Sequence, residues 1–482
     1  MKTIAIIGGG LSGLAAGVFL SRRGFEVKLF EANEKLGGCC AITRLRRYTF
    51  NDGALYVAVP AILDRAFARL GLDRPTLVPL RRIVATQATR LPDGTVVSMA
   101  DGRVTVHGAN GDDRSARLAV EIERLMQRWR PVLRLFADDL LSRSFSPATL
   151  LGKGWRHLHK LRGTLAAELE RRFSDPAARA AMAGNLLYTG LAPDKAPVLQ
   201  ILGLVAMFDD GFHLPEGGMG AIPEALGAAL RRQGGEIVLG ARVERIRVTN
   251  GRVRGVEVDG HGSTPADAVI STASGMLTFG SLLGEQDVPA SMRRKARKAP
   301  LSHKALSVQL GLANALDVPS HSVSVLPMME DQHKFFLPGD GVPEYFNYSV
   351  PTVTMPELAP AGASIVEMFA PIDQARPVDR WDEEASEAAA DAAIAALSRI
   401  HRLDIVVRRV TSPRDYRDRM HLFDGAIYGL SPAADPRSQF PHRTPVEGLF
   451  QAGQTTYPGY GVGPATMSGI FAAEALMKAV RE

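Results

Sequence analysis

Thr3-Ile4-Ala5-Ile6-Ile7 runs directly into Gly8-Gly9-Gly10-Leu11-Ser12-Gly13 and then into Leu14-Ala15-Ala16-Gly17-Val18-Phe19-Leu20. The first five residues are β-branched or small and apolar, which suits a strand buried on both faces. The third group places small and apolar side chains at helical spacing. Between them, Gly8, Gly10 and Gly13 match G-x-G-x-x-G in the strand–turn–helix setting that gives this motif its meaning. Gly8 permits the tight turn, Gly10 lets backbone approach a pyrophosphate, and Gly13 lets helix and strand pack closely. Leu11 and Ser12 then open a helix whose free N–H groups and positive dipole end face the phosphates. A second strand, Glu26–Phe30, ends at Glu31, 18 positions past Gly13. A carboxylate there accepts hydrogen bonds from the adenosine ribose hydroxyls. The stretch predicts a dinucleotide site on an α/β fold of Rossmann type.

Composition sets the frame around this loop. The chain has 482 residues, 46% of them hydrophobic and 22% charged. That is ample for a large core and two intergrown domains. The formal net charge of +6 comes without an aromatic-basic recognition motif, so no nucleic-acid partner is expected. Cys39 and Cys40 are the only cysteines and are adjacent, which predicts no disulfide framework, no zinc site and a reducing, cytoplasmic compartment. No metal is expected. A strand starting at Thr3 leaves no room for a signal peptide, and apolar runs such as Ile201–Phe208 fall far short of the ~20 residues that cross a bilayer.

After Glu31, Ala32-Asn33-Glu34-Lys35-Leu36-Gly37-Gly38 resembles the second glycine motif of the flavoprotein family that includes amine oxidases and phytoene desaturases. The resemblance implies FAD, with Ala32, Lys35, Gly37 and Gly38 among its contacts. Lys35 stands where an arginine is usual, and Cys39 where a second arginine often follows. Tyr48-Thr49-Phe50-Asn51-Asp52-Gly53-Ala54 resembles the aromatic-Asp-x-Gly stretch near the flavin ring, with Asn51 for the usual Asp, and implies contacts from Gly53 and Ala54. Gly240–Ile246 is similar to the strand whose backbone brackets the adenine, at Val243. Gly448–Gln454 is similar to the closing strand that touches the ribityl chain, through Gly453 and Gln454. The last segment, Gly459–Ala465, opens a final helix. Through Gly461, Val462 and Ala465 its backbone and positive end would approach flavin N1 and O2, where reduced flavin is negative.

Similarity to the phytoene desaturase branch runs almost end to end. Phe212–Pro223 resembles the branch's Pro-x-Gly-Gly segment before a helix. Turns at Asn250-Gly251 and Asp259-Gly260 mark a hairpin, and Asp267–Ala273 resembles a strand returning to the cofactor domain. The expected architecture is a discontinuous FAD-binding domain of residues 1–80, 215–285 and 420–482. An α+β substrate domain of residues 81–214 and 286–419 is inserted into it. Pro-rich loops at Pro351–Pro371 and a helical Asp382–His401 segment fall in the insert. Residues 124–172 have a helical, arginine-rich pattern, and Lys153–Arg162 holds Lys153, Arg156, Lys160 and Arg162 with Trp155, Leu158 and Leu161 at helical spacing. Such a basic amphipathic helix suits either a solvated face or an anionic membrane surface.

The implied chemistry is hydride removal from an isoprenoid or carotenoid-like polyene to flavin N5, in which the protein chiefly positions the chain. No catalytic triad or paired carboxylates are evident. His213, His303, Tyr457 and Tyr460, with His421 similar, are the candidates for a chemical role. With no second dinucleotide motif, the electron acceptor is expected to be oxygen, a quinone or a carrier protein. Three alternatives stay open: a saturase or isomerase of the same family, an amine oxidase, and a prenyl-binding escort protein without catalysis.

Overall fold

Five parallel strands build the cofactor domain, and they come from three distant parts of the chain. In the computed structural model, which describes residues 2–144, 152, 154–337 and 341–481, their order is Glu236–Val238, Glu26–Phe30, Thr3–Ile7, Ala268–Ser271 and Leu449–Gln451. Ile4, Ala5 and Ile6 pair with Glu26–Phe30 on one side and with Ala268–Ser271 on the other. Both sheet faces are covered, which is why these strands read as unbroken apolar runs. The first helix, Leu11–Ser21, is buried from Leu11 to Leu20, wedged between the sheet, the helix Ala221–Arg232 and the last helix, Val462–Arg481. Gly469 lets the last helix come this close, since a Cβ there would lie 2.0 Å from the Ser12 carbonyl oxygen. The hairpin expected at Asn250-Gly251 and Asp259-Gly260 forms a three-stranded antiparallel sheet over Val243–Pro265.

A second sheet, of eight strands, carries the insert. Its order is Ile405–Thr411, Leu306–Leu312, Ser364–Ala370, Phe346–Ser349, Ser322–Val325, Ala85–Arg90, Val96–Ala100 and Arg103–His107. The helix Glu383–Ser398, capped by Asp382, covers one face through Ala390, Ala393, Ala396 and Leu397. Tyr48 and Phe50 pack against Ile365 and Val407, so the first domain's strand Tyr48–Asn51 lies against the inserted sheet. Here the sequence expectation needs correction. The stretch Pro351–Pro371, read as loop, holds two short 3₁₀ turns and then the almost wholly buried strand Ser364–Ala370. Its prolines stop at the margins and leave Ser364–Ala370 free to pair on both sides.

The basic region also departs from expectation. A long helix, Gly111–Arg134, buries Leu118, Ile122, Leu125, Met126 and Trp129, but Trp155–Leu161 winds as a 3₁₀ helix between Gly154 and Gly163. Leu161 packs on the insert's core while Trp155 is 58% exposed, and Lys160 donates to the Arg128 carbonyl at 3.0 Å. Lys153 lies outside the described residues. Among the described residues, no helix is long and apolar enough to cross a membrane.

Candidate functional site

The first glycine loop is shaped as a cradle. Gly8 has φ +100°, and its N–H donates to the Phe30 carbonyl at 2.8 Å, which turns the chain sharply out of the sheet. A Cβ on Gly13 would sit 2.0 Å from the Gly8 carbonyl oxygen, so only glycine allows the helix to start there. Gly10 differs, because a Cβ on it would meet nothing within 4 Å. Gly10 has an ordinary extended backbone (φ −74°), so the protein fold itself does not demand glycine. Open space over a helix N-terminus with unpaired N–H groups and no acid in its first turn is what a pyrophosphate requires. The Ser12 hydroxyl donates to the Ala465 carbonyl at 2.7 Å, tying the loop to the last helix.

The adenosine end is organised by Glu31. Its carboxylate is buried and accepts from Gly9 N–H at 2.6 Å and from the Asn33 backbone and side-chain N–H groups at 2.9 and 3.0 Å. Three donors fix its orientation before any ribose arrives. Half-buried Ala32 follows it, and the Ala241 N–H donates to the Glu31 carbonyl at 2.8 Å, which brings Val243 to the same end. His421 also belongs here rather than at a reaction centre. Its imidazole is pushed towards the neutral form by burial and Arg242, and Glu31 acts in the opposite direction.

The second glycine turn closes on the first. Gly37 N–H donates to the Gly9 carbonyl at 2.9 Å, and Gly10 and Gly37 form a parallel bridge. Gly37 and Gly38 both have positive φ, +120° and +54°. Cys40 and Ala41 then donate to Gly37 and Gly38, while Ala54 donates to Cys39 at 2.8 Å, so Gly53 and Ala54 are stacked beside this turn. Gly453 N–H donates to the Ser468 hydroxyl at 3.1 Å, and Gln454 packs at Gly429. Gly461 accepts the Ala465 N–H, and Val462 begins the last helix. Lys35 is the exception. Its ammonium donates to the Ile42 carbonyl, the Thr43 hydroxyl and Asp52, at 2.8, 2.8 and 2.6 Å. All three of its N–H bonds are thus used inside the protein, where it neutralises Asp52.

Beyond the second turn lies a cluster of aromatic rings. Tyr428 and Tyr460 lie 4.5 Å apart between centroids, His303 meets Tyr428 edge-on at 5.7 Å, and Tyr56 stacks on Phe212 at 4.2 Å. Tyr188 joins them within electrostatic reach of Tyr56, Tyr428 and Tyr460. Burial raises the Tyr56 phenol to about 12, pushes the other three tyrosines up and lowers His303 to about 4. Every one of these groups is therefore uncharged at neutral pH. Of the candidates named from sequence, only His303 and Tyr460 belong to the cluster. Strand alternation turns Phe212 towards Tyr56 and His213 away from it, where Asp210, Arg82 and Arg74 surround it. Tyr457 stacks on Phe471 and donates to the Leu140 carbonyl, so it braces the last helix. Tyr56, Tyr188, Phe212 and Tyr428 escaped sequence reading because they sit on four separate elements. Tyr56, two residues past Ala54, and Phe212, at the start of the Phe212–Pro223 segment, had a motif nearby, but Tyr188 and Tyr428 had none.

Comparison with known proteins agrees with this geometry. The sequence profile of the family described as "flavin containing amine oxidoreductase" matches residues 11–477. The zeta-carotene-forming phytoene desaturase of Myxococcus xanthus is 26% identical, covering 99% of this chain and 94% of its own length. A 4,4'-diapolycopene oxygenase of a Methylomonas species is 25% identical, covering 97% and 96%. Among solved structures, an oxidoreductase from Methanosarcina mazei superposes with a TM-score of 0.66 at 18% identity, over 98% of this chain and 100% of that one.

Proposed function

The chain belongs to the family of flavin-containing amine oxidoreductases, and we propose that within it the protein is an FAD-dependent desaturase acting on a carotenoid-like or other isoprenoid polyene. The observation that supports this substrate class above the others is the similarity along 99% of the chain to a phytoene desaturase, and the aromatic cluster beside the second glycine turn, built from groups uncharged at neutral pH, is compatible with it. Such a wall accepts a long hydrocarbon without the cost of an unpaired buried charge. Bound FAD supplies the hydride acceptor. A C–H bond flanked by alkenes is weak, and losing its hydride leaves a delocalised positive charge on the chain. The faces of Tyr428 and Tyr460 offer their negative quadrupole to that charge. In this reading the backbone N–H groups at Gly10–Gly13 and the Glu31 carboxylate hold the cofactor, and Gly461–Ala465 close over its flavin end. In the same reading His303, neutral and edge-on to Tyr428, takes up the proton from the adjacent carbon.

Co-expression with a polyene-producing pathway, followed by mass analysis of the pigments, tests the proposal. The expected product has lost pairs of hydrogens. Oxygen in the product would favour an end-group oxygenase, the activity for which the Methylomonas relative is named. Unchanged pigments together with turnover of an amine would refute the desaturase reading. We further propose that the exposed Trp155, with Arg156, Lys160 and Arg162, rests on an anionic membrane surface and that oxygen or a quinone takes the electrons. Liposome co-sedimentation unaffected by reversing Lys153, Arg156, Lys160 and Arg162 would count against the first point. Reoxidation of substrate-reduced enzyme in air and under nitrogen with added quinone checks the second.

A further inference from the structure

Three side chains of the inserted sheet converge on two residues of the cofactor domain. Arg409, Gln309 and Glu367 are register neighbours on adjacent strands, Gln309 lying opposite both of the others. Glu367 Oε1 accepts the Asn51 N–H at 2.9 Å, Gln309 Nε2 donates to the Asn51 carbonyl at 2.6 Å, and Arg409 donates to Asp52 at 2.8 Å. Asn51 is gripped from the third side as well, since its Oδ1 accepts the Met219 N–H at 3.0 Å. From Asn51 the path to the cradle is short. Asp52 N–H donates to Ala41, Ala54 N–H to Cys39, and Ala41 and Cys40 to Gly38 and Gly37, which in turn bonds Gly9.

Most of this grip is saturated, but Glu367 is not. It is 3% exposed; Oε1 also accepts the Gln309 Nε2 at 3.3 Å, while Oε2 and the Asn51 Nδ2, which lie within electrostatic reach of each other, form no hydrogen bond of ordinary geometry. A buried carboxyl is a poor choice if its only task is to accept the Asn51 and Gln309 N–H groups through one oxygen, which a glutamine does without the desolvation cost. We propose that Glu367 is a positioning residue of the FAD site. It fixes Asn51–Ala54, and through them the Gly37–Gly38 turn, and its ionised form holds that segment more firmly than its neutral form. A carboxylate accepts an N–H more strongly than a carboxylic acid does. Burial raises the Glu367 carboxyl to about 7, and the N–H groups of Asn51 and Gln309 work in the opposite direction. The charged groups facing it are Asp52 and Arg409; Gln309, Asn51, Ser349 across the next strand and the Met219 backbone are uncharged. The proposal rests on the chain binding FAD, and it makes FAD retention depend on the inserted domain and on pH.

The test is FAD affinity of the full-length protein, read from quenching of FAD fluorescence between pH 6 and 8.5, for wild type, Glu367→Gln and Glu367→Ala. Wild type is expected to bind roughly fivefold more tightly at pH 8.5 than at pH 6, the difference between a charged and a neutral acceptor. Glu367→Gln should stay flat with pH, near the acid-side affinity of wild type. Glu367→Ala should be flat and weaker still. Glu367→Gln showing the wild-type pH trend would overturn the proposal, because the titrating group would then lie elsewhere. So would Glu367→Ala binding as wild type does. If the alanine variant does not fold, the isosteric glutamine decides alone. A wild type that takes up no FAD refutes the cofactor reading and this proposal together, whereas FAD uptake with no pH trend refutes only this one.

Discussion

Asp52→Asn should cost the apo protein about 3 kcal/mol, the lower end of what breaking a buried ion pair takes away. Asp52 is 5% exposed and bridges Arg409, 12% exposed, at 2.8 Å and Lys35, 48% exposed, at 2.6 Å. Lys35 can turn to solvent once its partner is neutral, so its share is at most about 0.5 kcal/mol. Arg409 cannot. Its guanidinium keeps neutral acceptors, the amide oxygen at position 52 and the Gln309 side-chain oxygen, but no counter-charge, and the stranded buried charge makes up most of the loss. The Thr43 hydroxyl, at 2.7 Å from Asp52, keeps an acceptor in the asparagine side chain and adds little. In urea titrations of the apo protein at pH 7.5, a denaturant slope of about 3 kcal/mol/M turns this into a midpoint lower by about 1 M. Arg409→Gln, made alone, should be costly for the converse reason. The double variant should recover roughly 2 kcal/mol relative to the sum of the two, as contacting buried charges do. A loss under about 1 kcal/mol for Asp52→Asn, or strict additivity in the double variant, would refute the assignment of this cluster as a mutually dependent buried ion pair.

Gly10→Ala and Gly13→Ala separate binding from folding. A Cβ on Gly10 enters open space, so that variant should fold with an unchanged melting temperature and lose FAD affinity by about 100-fold. The Gly13 variant drives its Cβ to 2.0 Å from a backbone oxygen and should lose stability as well, visible in the same melting experiment without FAD. His303 is lowered to about 4 by burial, so the rate of the proposed reaction should show no inflection near pH 6.5, and His303→Phe should lower kcat at least tenfold while FAD stays bound. Glu367 gives a stability signature of its own. With a folded pKa of about 7 against 4.5 unfolded, the folded state holds an extra proton between those values. Stability relative to Glu367→Gln is therefore greatest below pH 4.5 and falls as pH rises towards 7, by about 3 kcal/mol in all. Urea midpoints of the two proteins at pH 5 and pH 8.5 measure it.

The parts of the site that were legible in the sequence are those in which backbone meets ligand. Gly8, Gly13 and Glu31 announce themselves because a turn, a close helix–strand contact and a ribose acceptor each demand one residue type at a fixed spacing. Side chains that meet across the domain junction leave no such trace. Lys35 reads as a cofactor contact from its position in a motif, but its partner Asp52 is 17 residues away and Arg409 another 357. Glu367 lies on a strand hidden by flanking prolines, so neither its burial nor its neighbours could be read from its surroundings in sequence. Phe212 and His213 show the limit at single-residue scale. The segment was placed rightly, yet which of two adjacent rings faces the flavin end depends on strand register, and that is set by Val57 and Arg82.

The hydroxyl of Ser12 finds its acceptor at Ala465, 453 positions downstream. A ribosome adding about 5–20 residues per second makes the first half of that bond some 20–90 s before the second. Throughout that interval the helix Leu11–Ser21, buried on every side in the finished protein, lacks the last helix that covers it. The cradle at Gly8–Gly13 is thus among the first parts of the protein to be synthesised and among the last to be completed. Closure of the FAD cradle therefore waits on the last helix.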